Sequence, residues 1–268
     1  MLKTRILSAI AGIIILIIFI YWGAFPFYIF ISLLTIIAIN EYKNMLPEGF
    51  KNNKYFLAFM SLSLLLYTYL NSRGLMDFSP GIIIIFLLIL LFVYHMLEHR
   101  YNNILQSIGY DLFGILYIGG GMSFFILLRN FNYDPFSGVK ALWFVLIATW
   151  ATDTGAYFSG KYLGKKQLAP IISPNKTIEG AIGGIIFTVI IVMIMGFYFG
   201  MNGFNWFVYA IIVAIIAITG DLFESAIKRD MGVKDSGKII PGHGGILDRF
   251  DSLFFTLAFT YYYLINFL

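Results

Sequence analysis

The side chains in this sequence best suited to chemistry lie in one run of 27 residues, Ser225 to Asp251, which reads SAIKRDMGVKDSGKIIPGHGGILDRFD. It contains Lys228, Arg229, Asp230, Lys234, Asp235, Lys238, Asp248, Arg249 and Asp251, with Glu224 immediately before it. Asp221, Ser225, Lys228 and Arg229 follow one another at i, i+4, i+7 and i+8. A helix would therefore present an acid, a hydroxyl and two cations on one face. Asp248 and Asp251 stand at i and i+3, a spacing that turns two carboxylates the same way. Between these groups runs Pro241-Gly242-His243-Gly244-Gly245, whose glycines would let backbone N–H groups approach a ligand closely, as an anion nest requires. The run lacks the G-x-x-x-x-G-K-[ST] spacing of a P-loop. Carboxylates beside a cationic loop suit Mg²⁺, a hard ion that takes oxygen ligands and borrows several from phosphates and water. Two such ions can clamp the attacking and leaving oxygens of a phosphoryl transfer.

Each piece also has a plain structural reading. Glu224 and Lys228 form an i,i+4 pair at a helix end where long side chains snorkel to the interface. Asp248 and Asp251 would complement the dipole of a helix that starts there. The glycines alone fit a simple chain reversal. What favours chemistry is the joint spacing of all of them in one stretch.

A second polar region lies upstream. Asp153, in Trp150-Ala-Thr-Asp-Thr154, falls inside an apolar segment. A carboxylate placed there costs roughly 3 kcal/mol on insertion scales, so it should face a polar cavity or a partner. The following loop carries Lys161, Lys165 and Lys166, then Ser173-Pro174-Asn175-Lys176-Thr177-Ile178-Glu179-Gly180. Ser173 as N-cap with Pro174 at N1 predicts a helix start there. Lys176 and Thr177 beside it would make an anion site. Gly180-x-x-x-Gly184 fits close helix packing. His95-Met-Leu-Glu98-His99 has the H-x-x-E-H spacing of some zinc hydrolases. It lacks a third ligand and sits at a span end, where such residues are ordinary. Gly119-Gly120-Gly121 reads as a packing or bending point.

These residues must be held by apolar helices. Of the 268 residues, 60% are hydrophobic and 12% charged, about half the usual charge. The pattern predicts an all-α, polytopic helical membrane protein with about nine transmembrane helices. The expected spans are Ile6–Gly23, Pro26–Asn40, Tyr55–Leu70, Gly81–Leu97, Asp111–Leu128, Val139–Ser159, Ile178–Gly200, Phe204–Leu222 and Phe250–Phe267. The second is short enough for a tight hairpin or a re-entrant piece. Residues 1–130 hold spans one to five as scaffold and possible dimer contacts, and 131–268 hold the catalytic region. With nine spans, 15 of the Lys and Arg residues fall on one side and only Arg73, Arg129 and Lys140 on the other. The positive-inside rule then places the N-terminus and the Ser225–Asp251 stretch in the cytoplasm, where nucleotides are. The sequence has no cysteine, which excludes disulfides and thiolate metal sites.

The order Ser225-x-Ile227-Lys228-Arg229, Lys234-Asp235-x-Gly237, Pro241-Gly242-His243-Gly244-Gly245-Ile246-x-Asp248-Arg249-Phe250-Asp251 resembles the hallmark of the phosphatidate cytidylyltransferases, the CDP-diacylglycerol synthases. Asp153, Gly160-Lys161, Gly164-Lys165 and Ser173–Gly180 also resemble that family, so the specific part covers about residues 150–255. The resemblance implies a polytopic homodimeric enzyme of the cell membrane, the inner one in a prokaryote. It implies transfer of a cytidylyl group from CTP to phosphatidate with Mg²⁺, in two metal positions, at a site open to cytoplasm and lipid, and with no nucleic acid partner. Asp221, Asp248 and Asp251 are then expected to hold metal and, with Lys228, to be catalytic. Ser225, Arg229, Lys234, Asp235, His243, Gly244, Gly245, Arg249, Lys176, Thr177 and Asp153 are expected to bind substrate. The nearest rivals are a CTP-dependent polyprenol or phytol kinase and, from another class, a lipid transporter. A transporter would show internal symmetry and charge near the bilayer midplane, neither of which is evident.

Overall fold

A computed structural model describes residues 2–51, 53–98, 103–133, 136–199 and 203–267. The chain is almost wholly helical, as expected. Its elements in order are α1 (Leu2–Trp22), α2 (Ala24–Met45), α3 (Lys54–Ser72), α4 (Pro80–Leu97), α5 (Ile104–Gly114), α6 (Gly121–Arg129), β1 (Asn132–Tyr133), β2 (Phe136–Ser137), α7 (Gly138–Leu163), β3 (Gln167–Ala169), β4 (Ser173–Thr177), α8 (Ile178–Tyr198), α9 (Phe204–Asp230), α10 (Leu247–Phe250) and α11 (Leu253–Phe267). Among the described residues, seven helices are long and apolar enough to cross a membrane. They are α1 to α4, the Ile104–Arg129 rod, α8 and α9. The segments expected as the sixth and ninth spans are helical but fall outside that set. The first, α7, mixes Thr149, Thr152, Asp153 and Thr154 into its apolar sequence, and the second, α11, has only 15 residues.

The helices fall into two compact units: Met1–Asn130 with Ser236–Leu247, and Phe131–Asp235 with Asp248–Leu268. In the first, α1 and α2 form a hairpin joined by Gly23, whose φ of 134° a side chain would resist. Instead of a short re-entrant piece, α2 is a full helix of 22 residues. It extends past its apolar stretch because Glu41 and Lys43 are themselves buried. Lys43 pairs with Asp111 of α5, and His95 Nε2 of α4 lies 3.1 Å from the other oxygen of the same carboxylate. His95 is thus turned into the core, Glu98 accepts from Asn53 and Tyr94, and His99 lies outside the described residues. The rod from α5 to α6 carries a π-helical stretch, Ile115–Gly120. There Gly119 approaches α3 so closely that a Cβ would sit 3.1 Å from Ser61. The triple glycine is therefore both a bulge and a packing point.

In the second unit, β1 pairs with β2 and β3 with β4, each antiparallel. The β3–β4 hairpin leads into α8, which packs along α7 through small residues. A Cβ at Gly180 would meet the Ala156 carbonyl at 2.9 Å, and one at Gly184 the Thr152 carbonyl at 2.9 Å. The Gly-x-x-x-Gly spacing thus serves backbone approach, and Thr152 and Thr188 add a 2.7 Å hydroxyl bond across the same seam. The core near β2 is aromatic: Phe136, Phe144, Trp206 and Tyr209 stack or meet edge to face.

Candidate active site

The expected helix start at Ser173 is not observed. Ser173–Thr177 is strand β4, paired with β3, and α8 begins at Ile178 with Thr177 as its N-cap. Thr177 Oγ1 accepts from Gly180 N at 3.1 Å. Cross-strand pairing outcompetes the local Ser-Pro signal, and Thr177 spends its hydroxyl on the cap. Glu179 Oε2 accepts from the backbone N–H groups of Lys165 and Lys166 at 3.0 and 3.2 Å, closing the loop onto the helix start.

The second unit gathers most of the expected chemistry. Four elements supply it: Asp153 from α7, Lys176 from β4, Asp221 to Arg229 from α9, and Asp248 to Asp251 from the approach to α11. Lys176 Nζ lies 2.5 Å from Asp221 Oδ2, an ion pair without hydrogen-bond alignment. Lys228 Nζ donates to Asp248 Oδ1 at 2.7 Å and lies 3.3 Å from Glu224 Oε1. Asp248 and Glu224 are both buried. Asp251 Oδ1 accepts from the backbone N–H and hydroxyl of Ser252. Asp153 is exposed on α7. Lys176 and Lys228 thus pair with Asp221, Glu224 and Asp248, and Asp153 and Asp251 belong to the same unit.

The remaining residues divide. Ser225 is half-buried on α9, one turn after Asp221. Arg229 is exposed, donating from Nε to the Ile172 carbonyl at 3.3 Å and from Nη1 to that of Val233 at 3.0 Å. It thereby fastens both the hairpin and its own loop. Lys234, Asp235 and Arg249 are exposed. His243, Gly244 and Gly245 belong to the first unit. There Ser8 Oγ lies 2.8 Å from His243 Nδ1 and donates to the Pro241 carbonyl at 3.0 Å, and Gly244 and Ile240 close a short bridge.

Among the described residues, no three His, Asp or Glu side chains form a ready metal cage. The donor set nevertheless fits Mg²⁺. Glu224 offers two buried carboxylate oxygens that no hydrogen bond occupies, and such hard oxygen donors suit this ion.

A family model for the cytidylyltransferase family matches residues 3–267. A phosphatidate cytidylyltransferase of Staphylococcus haemolyticus is 36% identical over 261 residues, covering 96% of each chain. Those of Staphylococcus saprophyticus and Staphylococcus aureus are 34% identical over 258 residues, again covering 96% of each chain. The chain belongs to the cytidylyltransferase family. It is a nucleotidyltransferase with membrane-spanning helices. For a cytidylyltransferase, the interleaved cations and acids fit the handling of two anionic reactants. One acid escaped the sequence reading as a site residue. Glu224 extends the buried stripe Ala210, Val213, Ala217 and Gly220 of α9, so its periodicity marks it as inward-facing.

Proposed function

We propose that the chain transfers the cytidylyl group of CTP to phosphatidate, giving CDP-diacylglycerol and pyrophosphate. The observation that carries this reading is Lys228, set between the carboxylates of Glu224 and Asp248 in a family whose members named above are phosphatidate cytidylyltransferases. An oxygen of the phosphatidate phosphate attacks the α-phosphorus of CTP. The bond from that phosphorus to the bridging oxygen breaks, and pyrophosphate leaves with the electron pair. The attacking phosphate is already ionised, so no strong base is needed, and charge neutralisation with alignment dominates. Lys228 and Lys176 supply positive charge from positions fixed by their acid partners. Ser225 offers a hydroxyl on the same helix face, and Lys234 and Arg249 add exposed positive charge.

Asp221, Glu224 and Asp251, with Asp248 beside them, would hold Mg²⁺. When bound, the ion supplies charge to the phosphoryl oxygens. The excess of Lys and Arg on one set of loops supports a cytoplasmic N-terminus and a site facing the cytoplasm, in the inner membrane of a bacterium. A homodimer is part of the same reading and rests on the resemblance alone. The test is incubation of the purified protein with CTP, phosphatidate and Mg²⁺, with chromatography for CDP-diacylglycerol and pyrophosphate.

A further inference from the structure

Glu41 lies on α2, nearly 200 residues before the glycine loop, and is 3% exposed. Its carboxylate accepts hydrogen bonds from that loop. Ile246 N donates to Oε1 at 3.0 Å, Leu247 N to Oε2 at 3.0 Å, and Ser236 Oγ to Oε2 at 3.4 Å. Bonds to a charged acceptor are among the stronger hydrogen bonds. These three tie together both ends of Ser236–Leu247.

Two glycines report the same contact. A Cβ at Gly237 would lie 2.8 Å from Glu41 Cδ, and one at Gly245 would lie 2.6 Å from Oε2. Neither glycine has positive φ, so backbone conformation does not demand glycine at either place. The Glu41 carboxylate does, by occupying the space a side chain would need, joined at Gly245 by Ser236 Oγ, which lies nearer still. For Gly237 the three nearest atoms all belong to Glu41.

We infer that Glu41 is a positioning residue for the reaction: its carboxylate sets the backbone path of the loop Ser236–Leu247. Leu247 is joined by a peptide bond to Asp248, and Ser236 to Asp235. The inference therefore rests on the reading of Asp248 and its neighbours as catalytic machinery. Glu41 touches no reactant in this account and acts through the loop.

The test combines backbone exchange with kinetics in purified protein. Glu41→Gln keeps the shape but offers one acceptor and one NH₂ group to two converging N–H donors, so one bond is lost. Amide hydrogen exchange at Ile246 and Leu247 should quicken by about tenfold or more, with the helices unchanged. Turnover should fall by about 100-fold, with KM for CTP nearly unchanged. Glu41→Asp, which keeps two acceptors, should recover part of both. Gly237→Ala leaves Glu41 in place but presses a methyl group on its carboxyl, so it should reproduce the local exchange and the loss of turnover. This second arm decides the matter if Glu41→Gln does not fold. Unchanged exchange at these amides, or full turnover in either variant, would overturn the inference. A wild-type protein that makes no CDP-diacylglycerol would instead fail the functional reading, and the exchange arm would still report on the clamp.

Discussion

Lys228 donates a 2.7 Å hydrogen bond to Asp248 Oδ1, 20 residues away in sequence, and the same ammonium lies 3.3 Å from Glu224 one turn earlier on α9. One cation thus holds two buried acids on separate segments. The arrangement makes separable demands on stability and on turnover.

Lys228→Ala should remove the cation shared by Glu224 and Asp248, at a cost of about 3 kcal/mol. Turnover should fall by about 100-fold or more, the usual effect of removing one preorganised electrostatic stabiliser. Asp248→Asn alone should abolish turnover while the protein remains folded in detergent. The double variant Lys228→Ala with Asp248→Asn should regain part of the lost thermal stability but none of the activity, because one of the two buried charges is gone and the chemistry is not restored. Thermal melts in detergent, read beside initial rates, check this. Near-native rates in Asp248→Asn would remove that residue from the mechanism.

Glu224 and Asp251 are expected to act as a pair toward Mg²⁺. Glu224→Gln and Asp251→Asn should each raise the Mg²⁺ concentration needed for half-maximal rate by about tenfold, a common effect of weakening a metal's surroundings. Calorimetric titration of Mg²⁺ into the protein with CTP present gives the same comparison without turnover. An unchanged Mg²⁺ dependence in both variants would assign the ion elsewhere.

Orientation can be read directly because the chain has no cysteine. Lys234→Cys should react with a membrane-impermeant maleimide only from the cytoplasmic face. Arg73→Cys should react only from the opposite face. Labelling in the reverse sense would overturn the assignment of the N-terminus.

The seam between α7 and α8 depends on the absence of side chains. A Cβ at Gly155 would meet Phe187 Cβ at 2.6 Å, and one at Gly184 the Thr152 carbonyl at 2.9 Å. Gly155→Val or Gly184→Val should therefore lower the melting temperature and the activity together, since α7 carries Asp153 and α8 follows Lys176. Gly49→Ala, at a position with open space, should leave both unchanged.

Apolar runs made the helices legible in the sequence, and the joint spacing from Ser225 to Asp251 marked where chemistry gathers. What it hid was long-range. Lys228 and Asp248 were both visible, but their pairing depends on a loop that leaves and returns between them. The reach of α2 was hidden because Glu41 and Lys43 break its hydropathy, while their partners, the Ile246 and Leu247 amides and Asp111, lie far along the chain. The same distance concealed Glu41 as a clamp. Ser173 misled because its capping signal is local and strand pairing with Gln167–Ala169 is not. Glu224 could have been found by following the buried stripe of α9 one turn further.

The most direct measurement uses CTP labelled at either the α- or the γ-phosphorus, with phosphatidate and Mg²⁺, and follows the label into lipid. Cytidylyl transfer predicts that α-label enters the lipid as CDP-diacylglycerol while γ-label leaves as pyrophosphate. Transfer of γ-label to lipid with release of CDP would contradict the account and mark a CTP-dependent kinase.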